Sequence, residues 1–123
     1  MLDAAMLTII DEAGVNVLTL TEGLDETEFF STRLTRQEVG RQVATMAGIL
    51  QRLSDGLRTE FSELDWEGWE GVWRQLEADG ESGRHALWFA VRSLVPATLM
   101  WLRVYRQSRP ELFACKPAAG QKA

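Results

Sequence analysis

The stretch that decides the fold is Leu64-Asp65-Trp66-Glu67-Gly68-Trp69-Glu70-Gly71-Val72-Trp73-Arg74-Gln75-Leu76-Glu77-Ala78-Asp79. Its three tryptophans, Trp66, Trp69 and Trp73, are spaced so that on a helix they share one face. Asp65 stands directly before them and is a residue type that caps helix N-termini. The stretch therefore predicts a helix with an aromatic face and a mostly acidic opposite face.

Helical spacing of apolar residues continues on both sides of this stretch. It predicts main helices over residues 2–20, 35–53 and 84–107, and a short helix around Phe29 and Phe30. Two capping boxes mark helix starts, because Asp25 and Thr35 are each followed three residues later by a glutamate. Pro96 lacks an amide donor and should kink or divide the last helix.

The glycines indicate where helices pack or end. Gly14 should bend the first helix or end it early, whereas Gly40 and Gly48 suggest that another helix approaches closely. Residues 79–83 predict a break. Since no segment alternates polar and apolar residues as a strand does, we expect an all-α, antiparallel up-and-down bundle of four main helices plus a short one. The bundle domain should cover residues 1–110, and residues 111–123 should form a disordered tail.

Composition limits the classes of function. A chain of 123 residues predicts one domain, and its net charge of −5 disfavours general nucleic-acid binding. The charge is uneven, with a net of −7 over residues 55–81 and +5 over residues 84–109. Either the basic segment forms a groove for RNA or an acidic partner, or the two segments pack near each other.

Three features of the sequence predict a cytoplasmic protein without membrane spans. They are the single Cys115, the lack of a basic N-terminal region and the absence of an apolar run of about 18 residues.

Few residues carry obvious chemistry. His85 is the only histidine, and no cysteine or second histidine stands at metal-ligand spacing, so neither a metal nor a cofactor is expected. Ser82 lies three residues before His85, but no orienting third residue for a nucleophile is evident. The tryptophans are more often core or interface residues than platforms for stacked bases.

The order of four segments resembles the HepT-like branch of the HEPN superfamily, small helical dimers of which many are ribonuclease toxins. The segments that carry the resemblance are Leu20-Thr21-Glu22-Gly23-Leu24 with Glu28-Phe29-Phe30, Thr35 to Ser54, Leu64 to Leu76, and Trp88 to Pro96. The resemblance implies a helical bundle, a homodimer, and a minimal nucleotidyltransferase antitoxin as partner.

The catalytic signature of this family is an arginine followed five to seven positions later by a histidine, often with a tyrosine two residues beyond. In the ungapped alignment Trp73 occupies the arginine position, Ala78 the histidine position and Gly80 that of the tyrosine, which such antitoxins modify. A shift by one residue places Arg74 and Asp79 at the arginine and histidine positions, and an aspartate would repel a scissile phosphate. Gly48 stands where the family tends to have a glutamate.

Two functions follow from these departures. The first is a non-catalytic HEPN-like protein, in or derived from a toxin–antitoxin system, which acts through dimerisation or a partner with Trp66, Trp69 and Trp73 as contact residues. The second is a metal-independent endoribonuclease with a rearranged site, in which Arg74 or Arg84 works with His85. RNA is a ligand only under this second hypothesis, where Arg84 and Arg92 would contact it.

Overall fold

The computed structural model describes residues 2–76 and 81–114, and every regular element in these ranges is helical. The elements in chain order are α1 (Leu2–Thr21), α2 (Glu26–Ser31), α3 (Arg33–Arg52), α4 (Asp55–Glu60), α5 (Trp66–Leu76), α6 (Glu81–Phe89), a π-helical turn (Ala90–Leu94), α7 (Val95–Ser108) and a 3-10 helix (Pro110–Phe113). The all-α prediction is therefore confirmed for the described residues.

One hydrophobic core joins these helices. α1 packs against α3 and α7, and α5 packs against α3 and α6. The largest side chains that are fully buried come from α5, from α2 and from the loop after α4: Trp69, Phe29 and Phe61. The core thus draws on short elements as well as long ones.

Two of the predicted helix caps are present. The Asp25 carboxylate accepts the Glu28 amide at 2.8 Å, and Glu28 accepts the Asp25 amide at 2.9 Å, which completes the capping box of α2. Asp65 accepts the Gly68 amide at 2.8 Å and caps α5. The capping box at Thr35 is wrong, because α3 begins two residues earlier, at Arg33, and Glu38 bonds to Arg41 and Gln42 instead.

Helix boundaries differ from the prediction in three places. α1 continues past Gly14, because the missing side chain makes room for Leu99 of α7: a Cβ atom at Gly14 would lie 2.7 Å from Leu99 Cδ2. α4 was not predicted, and Ser54 caps it by accepting the Leu57 amide at 3.2 Å. α6 begins at Glu81, inside the predicted break over residues 79–83, of which 79 and 80 lie outside the described residues.

The prediction for Pro96 is confirmed. The helical chain from Glu81 to Ser108 is divided by the π-helical turn over Ala90–Leu94, and Pro96 follows as the second residue of α7. The Val95 amide bonds to the Ala90 carbonyl, five residues back, which is the hydrogen bond of a π-turn. Pro96 has no backbone N–H to donate to a carbonyl of the preceding turn. The regular α-helical hydrogen bonds are therefore interrupted just before it, and the π-helical turn stands in their place.

The ordered chain extends beyond residue 110. Leu112 and Phe113 of the 3-10 helix pack against the core, and Arg109 bonds to Glu111 and Glu60. Residues 111–113 therefore correct the predicted start of a disordered tail, because their apolar side chains find a place against the bundle. Residues 115–123 of that tail lie outside the described residues.

Two helical stretches, Asp3–Thr21 and Gly83–Ser108, are long and apolar enough to cross a membrane, with mean hydropathies of 1.3 and 1.2. The expectation that no segment qualifies was wrong. It required an uninterrupted apolar run, whereas the mean hydropathy of a helix can be high even when isolated polar residues interrupt that run. About two fifths of each stretch is buried inside the protein, 39% and 44%. Core helices of a soluble protein meet the same criterion, so these stretches are weak evidence for a membrane location.

Candidate functional site

The aromatic face of α5 points into the protein. Trp69 is 0% exposed, and its indole Nε1 donates a hydrogen bond to Thr98 Oγ1 of α7 at 2.9 Å. Trp69 therefore cannot contact a partner while the protein is folded, and its prediction as a contact residue is wrong. The three tryptophans do share one face of a helix, as their spacing predicts, but the central one bonds within the subunit.

The outer two tryptophans of the stripe are partly exposed. The Trp66 Nε1 donates to the Phe61 carbonyl at 3.0 Å, and the Arg58 guanidinium lies 4.7 Å from the centre of its ring. Trp73 packs over Gly48 of α3, where a Cβ atom would lie 3.2 Å from the Cζ3 and Cη2 atoms of the indole. This contact confirms the predicted close approach at Gly48, whereas a Cβ at Gly40 would meet only Leu87, at 3.9 Å.

The opposite face of α5 forms a groove with α6. It has a volume of about 460 Å³ and is open to solvent. Its lining consists of Glu67, Gly68, Gly71, Val72 and Gln75 of α5 with His85, Ala86 and Phe89 of α6. Gly71 leaves open space in this groove, since no atom lies within 4 Å of a Cβ built on it, whereas a Cβ on Gly68 would collide with the Asp65 carboxylate that caps α5. The sequence contained a signal for this face, because residues 67, 71 and 75 recur every four positions opposite the tryptophans.

The structure shows no hydrogen bond or ion pair between the two residues proposed for catalysis, Arg74 and His85. His85 lines the groove, whereas Arg74 lies outside its lining and has its guanidinium 3.8 Å from the exposed Glu70 carboxylate. Within the described ranges, no hydrogen bond or ion pair joins His85 to Arg74 or to another side chain. General acid–base catalysis places such a group within hydrogen-bonding reach of its partner. The groove offers the imidazole of His85, the carboxylate of Glu67 and the amide of Gln75. Among the described residues, no hydrogen bond joins these three groups.

The two arginines proposed to contact RNA each lie over a ring of one aromatic cluster. The Arg84 guanidinium is 4.5 Å from the Phe30 ring centre, and that of Arg92 is 5.6 Å from the Trp88 ring. Both arginines are exposed, and the rings beneath them belong to a cluster in which Phe29 lies 5.4 Å from Trp88. Cation–π contacts orient these guanidinium groups along the surface and leave their outer sides open.

The described residues contain no group of three or more histidine, cysteine, aspartate or glutamate side chains placed to hold a metal ion. The expectation of no metal and no cofactor remains a prediction. Ala78, Asp79 and Gly80, which fill the histidine and tyrosine positions of the HEPN signature, lie outside the described residues.

Comparison with protein-family models gives no match, and comparisons with curated proteins and with solved structures give none either. The HEPN resemblance is therefore carried by the residues of this chain alone.

Proposed function

We propose that this chain is a non-catalytic protein of the HepT-like HEPN type, which acts through dimerisation or through a partner protein. The proposal includes the antiparallel up-and-down arrangement of the main helices, a cytoplasmic location, and an origin in a toxin–antitoxin system. The pairings of α1 with α3 and α7, and of α5 with α3 and α6, are compatible with such a bundle.

The observation that carries this proposal is the contact between Trp73 and Gly48. These residues stand where the resembled family has its catalytic arginine and tends to have a glutamate. Here a large aromatic ring packs over a residue without a side chain, so the two positions are complementary in volume instead of charge. The pair has the form expected of a nuclease site that has lost its charged groups and packs against the core.

The remaining polar groups support the same conclusion. Arg74, the nearest arginine to the family position, faces the Glu70 carboxylate, which reduces its positive potential toward a phosphate. Glu67 lines the groove beside His85 and places a negative charge there. An RNA backbone entering this groove would be repelled by Glu67 and would meet no lysine or arginine among the described residues that line it.

A ribonuclease assay tests the proposal directly. The purified protein is incubated with a pool of transfer RNA without added metal, in parallel with His85→Ala and Arg74→Ala prepared in the same way. We expect no cleavage above the level of the two variants, since any residual cleavage would come from contaminants present in all three preparations. Cleavage by the wild type that disappears in His85→Ala would refute the non-catalytic function.

One observation favours the alternative, a metal-independent endoribonuclease with a rearranged site. His85 is exposed in the groove between α5 and α6, and Arg84 precedes it directly in the chain. Under this alternative Arg84→Ala should abolish cleavage together with His85→Ala. If only Arg74→Ala and His85→Ala lose cleavage, the rearranged site uses Arg74 instead.

The implied partner is a minimal nucleotidyltransferase. The tyrosine that such enzymes modify is replaced by Gly80 in the ungapped alignment, so complex formation and not nucleotide transfer is the expected activity. Co-expression with a nucleotidyltransferase encoded beside this gene, followed by affinity purification, should recover both chains. The absence of such a gene would contradict the toxin–antitoxin origin, without affecting the test for cleavage.

A further inference from the structure

The outer surface of α1 and α7 combines exposed apolar side chains with charges of both signs. Val15 and Leu18 of α1 are 49% and 36% exposed, and Met100 and Val104 of α7 are 47% and 42% exposed. These four are half of the large apolar side chains that are exposed in the described ranges. We call the surface that they form with the groove between the two helices the α1/α7 face.

The groove of the α1/α7 face is apolar along its floor. It has a volume of about 350 Å³ and is lined by Asp11, Val15, Leu18, Pro96, Leu99, Met100, Arg103 and Arg106. The two helices meet closely at Gly14, where Leu99 occupies the space of the missing side chain. Exposed apolar residues that are contiguous in this way, and rimmed by polar ones, mark surfaces that bind another macromolecule.

The charges of this face are divided between its two walls. The α1 wall carries the carboxylate of Asp11, and Glu22 follows at the end of the helix in an adjoining groove that shares Leu18 and Pro96. The α7 wall carries Arg103 and Arg106, and Arg92 continues it into the adjoining groove. Asp11 and Arg106 lie 3.8 Å apart, whereas Arg103 forms no ion pair with any residue that the structure describes.

We propose that the α1/α7 face binds a second copy of this chain through a two-fold axis. A two-fold axis parallel to the groove places the same patch on both subunits and brings the α1 wall of each copy against the α7 wall of the other. Asp11 of each subunit then faces Arg103 of its partner, and the apolar floors close over each other. The face is self-complementary in charge because its acids and its bases lie on separate walls.

Other occupants match this face less well. An RNA backbone or an anionic lipid surface would attract Arg92, Arg103 and Arg106 but would be repelled by Asp11 and Glu22. A second copy satisfies both walls at once. This inference rests on the proposed function, in which the chain acts by association, and it moves the contact surface from the tryptophans of α5 to the α1/α7 face.

Sedimentation of the full chain at micromolar concentration tests the surface. We expect the wild type to sediment as a dimer and Met100→Glu to raise the dissociation constant about tenfold or more, since it places an unpaired charge in the apolar contact. Leu34→Glu is the matched control. Leu34 is 78% exposed on α3 and does not line the groove of the α1/α7 face, so this variant should dimerise as the wild type does.

A charge exchange tests the two-fold geometry. Asp11→Lys and Arg103→Glu should each be monomeric, because each homodimer would contain two like-charge contacts. Mixing the two variants should restore a dimer, because it contains one native contact and one exchanged contact. Circular dichroism of each variant alone establishes that it remains folded.

Each outcome bears on this inference separately from the proposed function. A monomeric wild type, a dimer that survives Met100→Glu, or folded variants that do not recover on mixing would each overturn the α1/α7 contact. Co-sedimentation of a monomer with phosphatidylserine vesicles would identify a lipid surface as the occupant and would overturn it as well. The ribonuclease assay is independent of all these results, so a monomer without cleavage would leave the non-catalytic function in place.

Discussion

The two faces of α5 differ in what they contribute. On the inner face, Trp69 and Trp73 fill the space between α5 and its neighbours, and Trp69 also satisfies its indole nitrogen through Thr98. On the outer face, Gly68 and Gly71 line an open groove beside His85. One helix therefore supplies stability with one side and accessible surface with the other, and substitutions should separate the two contributions.

Of the substitutions that test this division between the faces, a replacement of Trp69 should change the free energy of unfolding most. Trp69→Ala removes a fully buried ring and leaves the Thr98 hydroxyl without its donor, so we expect a loss of about 3–5 kcal/mol in the free energy of unfolding. Denaturation in urea measures this loss. The matched control is Gln75→Ala on the outer face of the same helix, which should change stability by less than about 0.5 kcal/mol. Similar costs for the two variants would contradict the division between the faces.

The polar contact of the inner face should have the next largest effect. Thr98→Val keeps the volume of the side chain but leaves the buried indole nitrogen of Trp69 without an acceptor, which should cost about 1–3 kcal/mol. Thr45→Val is the control, because the Thr45 hydroxyl bonds only to the Arg41 carbonyl in its own exposed helix turn. If both threonine variants unfold at the same urea concentration, the bond between Trp69 and Thr98 contributes no net stability.

The same substitution, glycine to alanine, can be made on each face of α5: at Gly71 on the outer face, and at Gly48 of α3, which packs against the inner face. Gly71→Ala on the outer face meets no atom within 4 Å and should stabilise the helix by about 0.5–1 kcal/mol. Gly48→Ala has the same helix-forming advantage, but its Cβ would lie 3.2 Å from the ring of Trp73. Crowding of that kind costs about 1–3 kcal/mol, so Gly48→Ala should be the less stable of the two. Thermal unfolding of both variants gives the comparison, and a more stable Gly48→Ala would mean that Trp73 moves away without cost.

The sequence predicted helices better than it predicted what their faces contact. The tryptophan spacing identified a single face, and Asp25 and Asp65 marked two helix starts, because these signals act within a few residues of chain. Spacing alone could not tell a face that binds another subunit from one that packs inside, so Trp69 was assigned to a partner. That distinction depends on Thr98, which lies 29 residues away in the chain.

Glycine shows the same limit of local information. Gly14 and Gly48 carry equal helix penalties in the sequence, and both turn out to admit a side chain from another helix, Leu99 and Trp73 respectively. Gly48 was interpreted correctly, but Gly14 was expected to bend or end its helix. The candidate groove was not predicted, because it needs α5 and α6 to be placed side by side, and only then does His85 lie beside Gly71.

The loop that leads into α5 provides the last and smallest expected effect, a change of stability at alkaline pH. Tyr105 stacks on Phe61 at 4.2 Å between ring centres, donates its hydroxyl proton to the Glu63 carboxylate and accepts the Glu63 amide at 3.2 Å. Burial first, and then the hydrogen bond to Glu63, raise the pKa of Tyr105 well above its ordinary value of 10.0. The folded state thus holds this proton more tightly than the unfolded state does. The contribution is complete below pH 10 and is lost as the pH rises above it toward the folded pKa.

Stability should therefore fall as the pH rises above about 10 in the wild type, and the fall should be smaller in Tyr105→Phe, which has no proton to lose. Tyr105 is the only tyrosine in the chain, so its phenolate absorbance reports this group alone. In the folded protein that absorbance should rise at a higher pH than in the urea-unfolded chain. Equal titration in the two states would show that Glu63 and the surrounding rings do not hold the proton, and the loop into α5 would then contribute by packing alone.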